Sequence, residues 1–410
     1  MTSFSYSEWS DAQLVDTVAR QIAIPREAPA NSFVLHAPLE LTARAALLPM
    51  VNESNRIVAR SRIADMAAEY ERFSPPAPDP AVRSFDSLNI AAEYLAAAVD
   101  ASDLESADAA ARFLAGAARP HQLGALLAPT VLPSLAAAAH GSIFLYLLPR
   151  VAPRGGDLAH TLRPLVRELA RNSALRMQWV SDQDFLEMQP EAVSLRESLQ
   201  HVPQLGIPGS SFIFPIMHQA EQNQMASNLL AGPVAAEALG DAARVLLRAA
   251  ALSMLAEPTT HSAYGWSHCL TMTQGALGTA PSMKKAAVAV AATYVVGFRA
   301  ALSAVDLPTR FVPTHEVTPA DVVDVGRAIA ALDVSPQSAA AVMWLAPEEF
   351  LDDLTAVLVN RAAVHADAHL VKYTLACLDA AAFDGEQRRL YFAAMAFLNT
   401  LWLLNPEISF

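Results

Sequence analysis

Apolar residues recur at intervals of three and four along nearly the whole chain, with few β-branched runs and little strict alternation. That spacing puts them on one stripe of a helix, whereas a half-buried strand needs a period of two. The chain is therefore expected to fold as helices packed on helices. Capping signals agree. Thr318-Pro-Ala-Asp321 sets a cap, a first-turn proline and an acidic residue in order, and Ser335-Pro336 repeats the device. Asp157 is placed to cap a helix running through Ala170, and Gly385 to stop one helix before a last one from Glu386 to about Leu404. At a mean of ~11–12 residues per helix, a chain of this length gives roughly fifteen helices.

The proline-rich joints Phe73–Pro80, Pro149–Gly156, His201–Pro215 and Pro308–Pro319 are too short and too apolar to be flexible interdomain linkers. No fixed-period repeat points to a solenoid. The expectation is one large all-α domain over residues 1–410, with any site buried inside the bundle. His201–Pro215, apolar yet irregular, is the candidate active-site loop, and Ser210–Phe214 reads as a short extended piece. Residues 122–149 carry no charge and are long enough to span a bilayer, but Pro129, Pro133 and His140 interrupt them. A buried helix or helix pair is the better reading, and no other segment resembles a span.

The formal net charge is −13 and no basic run exceeds two residues, which disfavours nucleic acid and anionic membrane as partners. Cys269 and Cys377 both lie in helical apolar patterns, so neither a disulfide framework nor a structural zinc site is expected. The first residues lack the basic and apolar regions of a signal peptide, and a cytoplasmic location fits.

Chemistry concentrates near the C-terminus. If Leu354 to Asp379 is one helix, His365, His369 and Lys372 share a face with Leu358 and Ala376. Polar heads on an apolar stripe cost a few kcal/mol each unless partnered, and a metal ion is the natural partner. Among 28 Lys plus Arg, only Lys284, Lys285 and Lys372 are lysines. A desolvated lysine can lose its proton where an arginine cannot, and a neutral amine can act as a base or take up carbon dioxide as a metal-binding carbamate. The plain alternative is a lysine whose head reaches water. His36, His140, His261 and His268 also lie in apolar helical segments, the last two on one helix face with Tyr264 between them. Any one of them taken singly reads as a satisfied core histidine; six together point to a shared site. His121 and His160 read as surface or capping residues, and His201, His218 and His315 as solvated ones.

Familiar local motifs are absent. His365-x-x-x-His369 lacks the glutamate of a zinc protease, no Glu-x-x-His occurs, and there is no glycine-rich nucleotide or flavin loop and no Gly-x-Ser-x-Gly elbow. A site rich in histidine and poor in carboxylate suits iron, copper, nickel or zinc rather than magnesium or calcium.

Taken in order, Leu35-His-Ala-Pro-Leu-Glu40, Ala139-His-Gly-Ser-Ile143, Gly265-Trp-Ser-His-Cys269 and Asp367-Ala-His-Leu-Val-Lys372 resemble the motifs of the questin oxidase family, the last being the most specific. The resemblance is a sparse pattern spread over most of the chain. It implies an all-α oxygenase acting on anthraquinone-type polyketides, some members holding a non-haem iron by four histidines and a carbamylated lysine. Carried over by motif, the lysine is Lys372 and the histidines are His369, His36, His140 and His268, with His261 in reserve and His365 in reserve or supporting. Trp266 and Cys269 depart from the pattern around His268, and the His201–Pro215 loop has no clear counterpart.

The functional expectation is an iron-dependent oxygenase oxidising or cleaving an aromatic, quinone- or phenol-like molecule with dioxygen. The alternatives are a metal-free Baeyer–Villiger-type oxygenase with histidine bases, or a non-catalytic binding protein. The substrate cavity should be apolar and internal, with Tyr264, Trp266, Phe144 and Trp179 as candidate walls.

Overall fold

The computed structural model describes residues 6, 8–23, 36–71, 79–152, 158–178, 192–204, 213–223, 225–226, 238–279 and 283–407. Eighteen α-helices, several short 3-10 turns and one π-helical turn account for the regular structure of the described residues, and the pairing of Ser134 with Arg176 is an isolated bridge. The fold is all-α, as the period of three and four requires. Contacts within the chain cluster into two compact units: residues 1–178 with 278–287, and residues 179–277 with 288–410.

The first unit carries α1 (Asp11–Gln21), α2 (His36–Leu47), α3 (Glu53–Glu71), α4 (Leu88–Asp100), α5 (Leu104–Ala117), α6 (Pro120–Val131), α7 (Gly141–Val151) and α8 (Leu158–Arg171). Helix α5 packs on α8, and α7 on both α2 and α6. The α5–α8 seam contains a buried ionic cluster. Asp108 accepts from Arg163 at 2.8 Å and Arg167 at 2.6 Å. Burial pushes the Asp108 carboxyl up while the two guanidinium groups pull it down, and burial prevails. His160 does not sit at the surface as its sequence context implies: it is buried and meets Asp79 at 3.0 Å, because α8 turns its first residues inward. Asp157, the expected cap of α8, lies outside the described residues.

The uncharged stretch 122–149 resolves into a helix pair, α6 and α7, joined by a tight turn at Ala136–Ala139. Ala137, Ala138 and Ala139 all adopt positive φ, at 48°, 53° and 60°. Each such L-residue costs about 1–2 kcal/mol. Ala138→Gly should therefore raise stability by about 1 kcal/mol, reversing the usual sign for this substitution. A lower melting temperature in that variant would show that the methyl's packing outweighs the strain.

The second unit carries α9 (Ala192–Gln200), α10 (Phe214–Gln222), α11 (Ala238–Ala256), α14 (Val325–Leu332), α15 (Pro336–Leu345), α16 (Leu351–Val364), α17 (Ala368–Phe383) and α18 (Arg388–Leu404), with most of α12 (Ser267–Thr279) and α13 (Lys284–Leu302). Helix α18 is its axis: α15, α17 and α11 pack on it, and it is buried almost throughout from Leu390 to Trp402. Ser335 caps α15, and Thr318 forms a capping box, but around a 3-10 turn rather than an α-helix. Helix α13 is long and apolar enough to cross a membrane by length and composition, where the sequence reading singled out residues 122–149; most of it is buried. Cys269 and Cys377 are free and buried, and burial pushes the Cys269 thiol up to about 12.

One expected element is corrected. Leu354–Asp379 is not a single helix: α16 ends at Val364, the chain turns through His365–Asp367, and α17 restarts at Ala368. His365 is the C-cap of α16 in extended conformation and Asp367 is the N-cap of α17, accepting from the His369 N–H at 2.7 Å. The acidic cap outcompetes helical continuation, because a carboxylate satisfies amide groups that a helix start leaves bare. His365 therefore does not share a helix face with His369 and Lys372.

Candidate metal centre

Within the second unit, α12 and α17 bring His268 and His369 together, ring centroids 4.8 Å apart and nearly edge to face. Both are buried, and so is Lys372, one turn beyond His369 on α17. Lys372 is close enough for its charge to act on the His369 ring. Segment Ser262–Trp266 just before α12 is a π-helical turn, a form found mostly as single turns and frequently at functional sites. His268 Nδ1 reaches back to the carbonyl of Tyr264 in that turn.

Asp367 organises the other ring. One oxygen takes the His369 backbone N–H and its Nδ1, both at 2.7 Å, and the other takes the Tyr264 hydroxyl at 3.0 Å. Burial pushes the Asp367 carboxyl up, but the hydrogen bonds and charge of His369 outweigh it and hold the carboxyl well below the usual range. It is thus a carboxylate that only accepts, and His369 Nδ1 must carry the proton. Burial and the Lys372 charge push the His369 ring down to about 4 against the pull of Asp367. At neutral pH its Nε2 edge is a lone pair. Tyr264 stacks edge-on against this ring at 5.0 Å and against Trp402 at 6.1 Å.

The first unit holds a second imidazole pair. His36 opens α2 and His140 immediately precedes α7, their centroids 5.2 Å apart. The strained alanine turn aims two carbonyls at His140: Nδ1 lies 2.8 Å from Ala137 O and 3.1 Å from Ala138 O. A carbonyl only accepts, so in the neutral rings of His140 and His268, as in His369, the proton is on Nδ1 and the lone pair on Nε2. Metal-binding histidines are oriented in this way, with the far ring N–H anchored on a carboxylate or carbonyl. His365 has the opposite arrangement. Its Nδ1 accepts the Asp367 N–H at 3.1 Å, a closer contact than the 3.4 Å to Asp367 O, and its ring lies 5.5 Å from that of Trp402. It fixes the break between α16 and α17.

The remaining sequence candidates divide. His261 is exposed on a 3-10 turn while His268 is buried, since the intervening π turn breaks the seven-residue register that would align them. Trp266 is fully buried, and its indole N–H has no hydrogen-bond partner among the described residues. Phe144 is core of the first unit, and Trp179 lies outside the described residues, as does most of the His201–Pro215 loop. Among the described residues, no three His, Cys, Asp or Glu side chains gather closely enough to hold an ion by themselves. Sequence reasoning names Asp367 only as part of a motif, without its role as cap and ring anchor, and misses Trp402. Asp367 was visible as an Asx cap two residues before His369.

Comparison of the chain with protein families, curated proteins and solved structures returns no match.

The low value for His369 makes a pH prediction. Between about 6.5 and 4 the unfolded ring takes up a proton that the folded ring refuses, so stability should fall as pH is lowered through that window. Urea titrations of chelator-treated protein at several pH values read the slope directly. His369→Gln should flatten it, and an unchanged slope would mean that the folded ring is protonated too.

Proposed function

We propose that the chain is a metal-dependent oxygenase, with non-haem iron as the metal, acting on an aromatic, quinone- or phenol-like small molecule and dioxygen. The observation that carries this reading is the Nδ1 anchoring of His268 and His369, repeated in His140. A core histidine needs one partner, and either nitrogen serves. Three rings anchored by the same nitrogen on pure acceptors present the same nitrogen for ligation. The donor set, imidazoles with the nearest carboxylate engaged on the outer side of the ring, suits iron as one of the metals that take imidazole.

His268 and His369 would hold the ion in the second unit, and Lys372 would supply a third donor. As an ammonium it would repel a cation. As an amine it can add to carbon dioxide, losing a proton to give a carbamate whose negative charge favours metal binding. His36 and His140 present a further imidazole pair in the first unit. When bound, iron supplies one-electron chemistry towards dioxygen. Tyr264 donates to Asp367 and packs its ring against that of His369.

The test is elemental analysis of protein purified without a polyhistidine tag, together with oxygen uptake on adding hydroxylated anthraquinones. Iron near stoichiometric with the chain and substrate-dependent uptake are expected. Uptake without metal would favour the metal-free oxygenase, and neither would favour a binding protein.

A further inference from the structure

At the far end of α17 from His369 the second unit opens into a cleft of about 230 Å³. Asp384, fifteen residues along from His369, marks that end, so the two places are separated by roughly 22 Å of helix at 1.5 Å per residue. The cleft is not the substrate space of the histidine site.

Its lining is unusual for this chain. Arg196, Arg248 and Arg310 face it and no aspartate or glutamate does, although the protein carries a net charge of −13. Arg248 is already committed, held by both oxygens of Asp384 at 2.6 Å. Arg196 and Arg310 are exposed and neither makes an ion pair with any described residue. The same cleft is lined by an aromatic pair, Phe311 edge to face with Trp344 at 5.3 Å, and by buried apolar side chains that include Leu199 and Leu252. The walls are fixed before any ligand arrives. Leu307 N–H binds Gln200 O at 3.2 Å, tying the 305–311 loop to α9, and Arg389 holds the carbonyls that end α15 next to Trp344.

Guanidinium groups read carboxylates through paired N–H donors, and a flat apolar wall beside them reads a ring. We propose that this cleft is a binding site for a small aromatic carboxylate, Arg196 and Arg310 taking the carboxylate and Phe311 with Trp344 taking the ring. Its volume lies below the ~300 Å³ at which drug-sized sites begin, which favours a ligand of one or two rings.

The test uses the full-length chain and four probes: benzoate, phthalate, the neutral isostere benzamide and inorganic phosphate. Isothermal titration should give one saturable site for phthalate and for benzoate. Benzamide and phosphate should each bind at least ten-fold more weakly, since one lacks the charge and the other the ring. Arg196→Gln with Arg310→Gln, both at exposed positions where the fold tolerates change, should weaken phthalate at least ten-fold with helicity unchanged. Trp344→Phe should keep binding but abolish most of the ligand-induced change in tryptophan fluorescence. The proposal is overturned if neither carboxylate binds at millimolar concentration, if the double glutamine variant binds as wild type does, or if benzamide or phosphate matches phthalate.

Discussion

If the histidine pair holds a metal as proposed, alanine at His369 should abolish metal binding while leaving the helices intact. The side chain is buried at the first turn of α17, so the substitution removes a ring rather than a structural strut, and the Asp367 cap on the backbone N–H survives. Losing an outer partner of a ligand typically costs 10–100-fold in metal affinity, so losing the ligand should cost at least about that much. Asp367→Asn is the informative companion. Asparagine caps a helix as well as aspartate does, and its oxygen can keep both bonds to His369, so the variant removes the negative charge behind the ring and leaves the anchor in place. Metal affinity should then fall roughly 10–100-fold with stability almost unchanged. Lys372→Arg should also fail, because a guanidinium neither loses its proton nor forms a carbamate, and bicarbonate should not rescue Lys372→Ala. Wild-type metal content in the arginine variant would make Lys372 a packing residue only.

The second large effect is on folding. Glu257→Ala should destabilise the second unit by about 3–5 kcal/mol, the range for leaving one partner of a buried ion pair alone. Arg299 is 2% exposed and donates to Glu257 at 3.2 Å, Ser253 at 3.0 Å and Val305 O at 2.9 Å. Burial lowers the pKa of the guanidinium and Glu257 holds it up. The other Glu257 oxygen takes the Ala304 N–H at 2.7 Å, so alanine also orphans an amide. Urea unfolding followed by tryptophan fluorescence measures the loss. Glu257→Leu combined with Arg299→Met should recover the part due to the unpaired charge, since neither charge then remains buried, while the Ala304 amide stays without its acceptor. A loss below about 1 kcal/mol in the single variant would show that water reaches Arg299.

How far residues could be read in advance depended on whether their determinants were local. The caps at Ser335 and Thr318 were legible because a side chain meets an amide three residues away. Residues 122–149 read as a buried helix or helix pair, and the pair is what forms: Pro133 lies in the joint, whereas Pro129 sits inside α6. The break at His365–Asp367 was hidden although its signal was local: apolar periodicity runs unbroken through it, and the Asp367 cap was read as part of a motif instead. The π turn at Ser262–Trp266 has no residue signature, so the offset between His261 and His268 could not be foreseen. The alanine turn before His140 hides itself too, since φ values of that sign are usually marked by glycine. The pairings of His36 with His140 and of His268 with His369 join segments about a hundred residues apart, and no local rule predicts such meetings.

The arrangement at Asp367 has a wider use. A carboxylate at a helix N-cap and a histidine two residues later make a self-contained device: one oxygen starts the helix and orients the ring, within three consecutive residues. Nothing distant is needed to choose the tautomer. Such a unit can be grafted onto the start of any helix that faces a cavity, and it delivers one pre-aimed imidazole nitrogen. It also ties two properties to one side chain, so most replacements that change the ring's basicity at this position also disturb the helix start, asparagine being the exception.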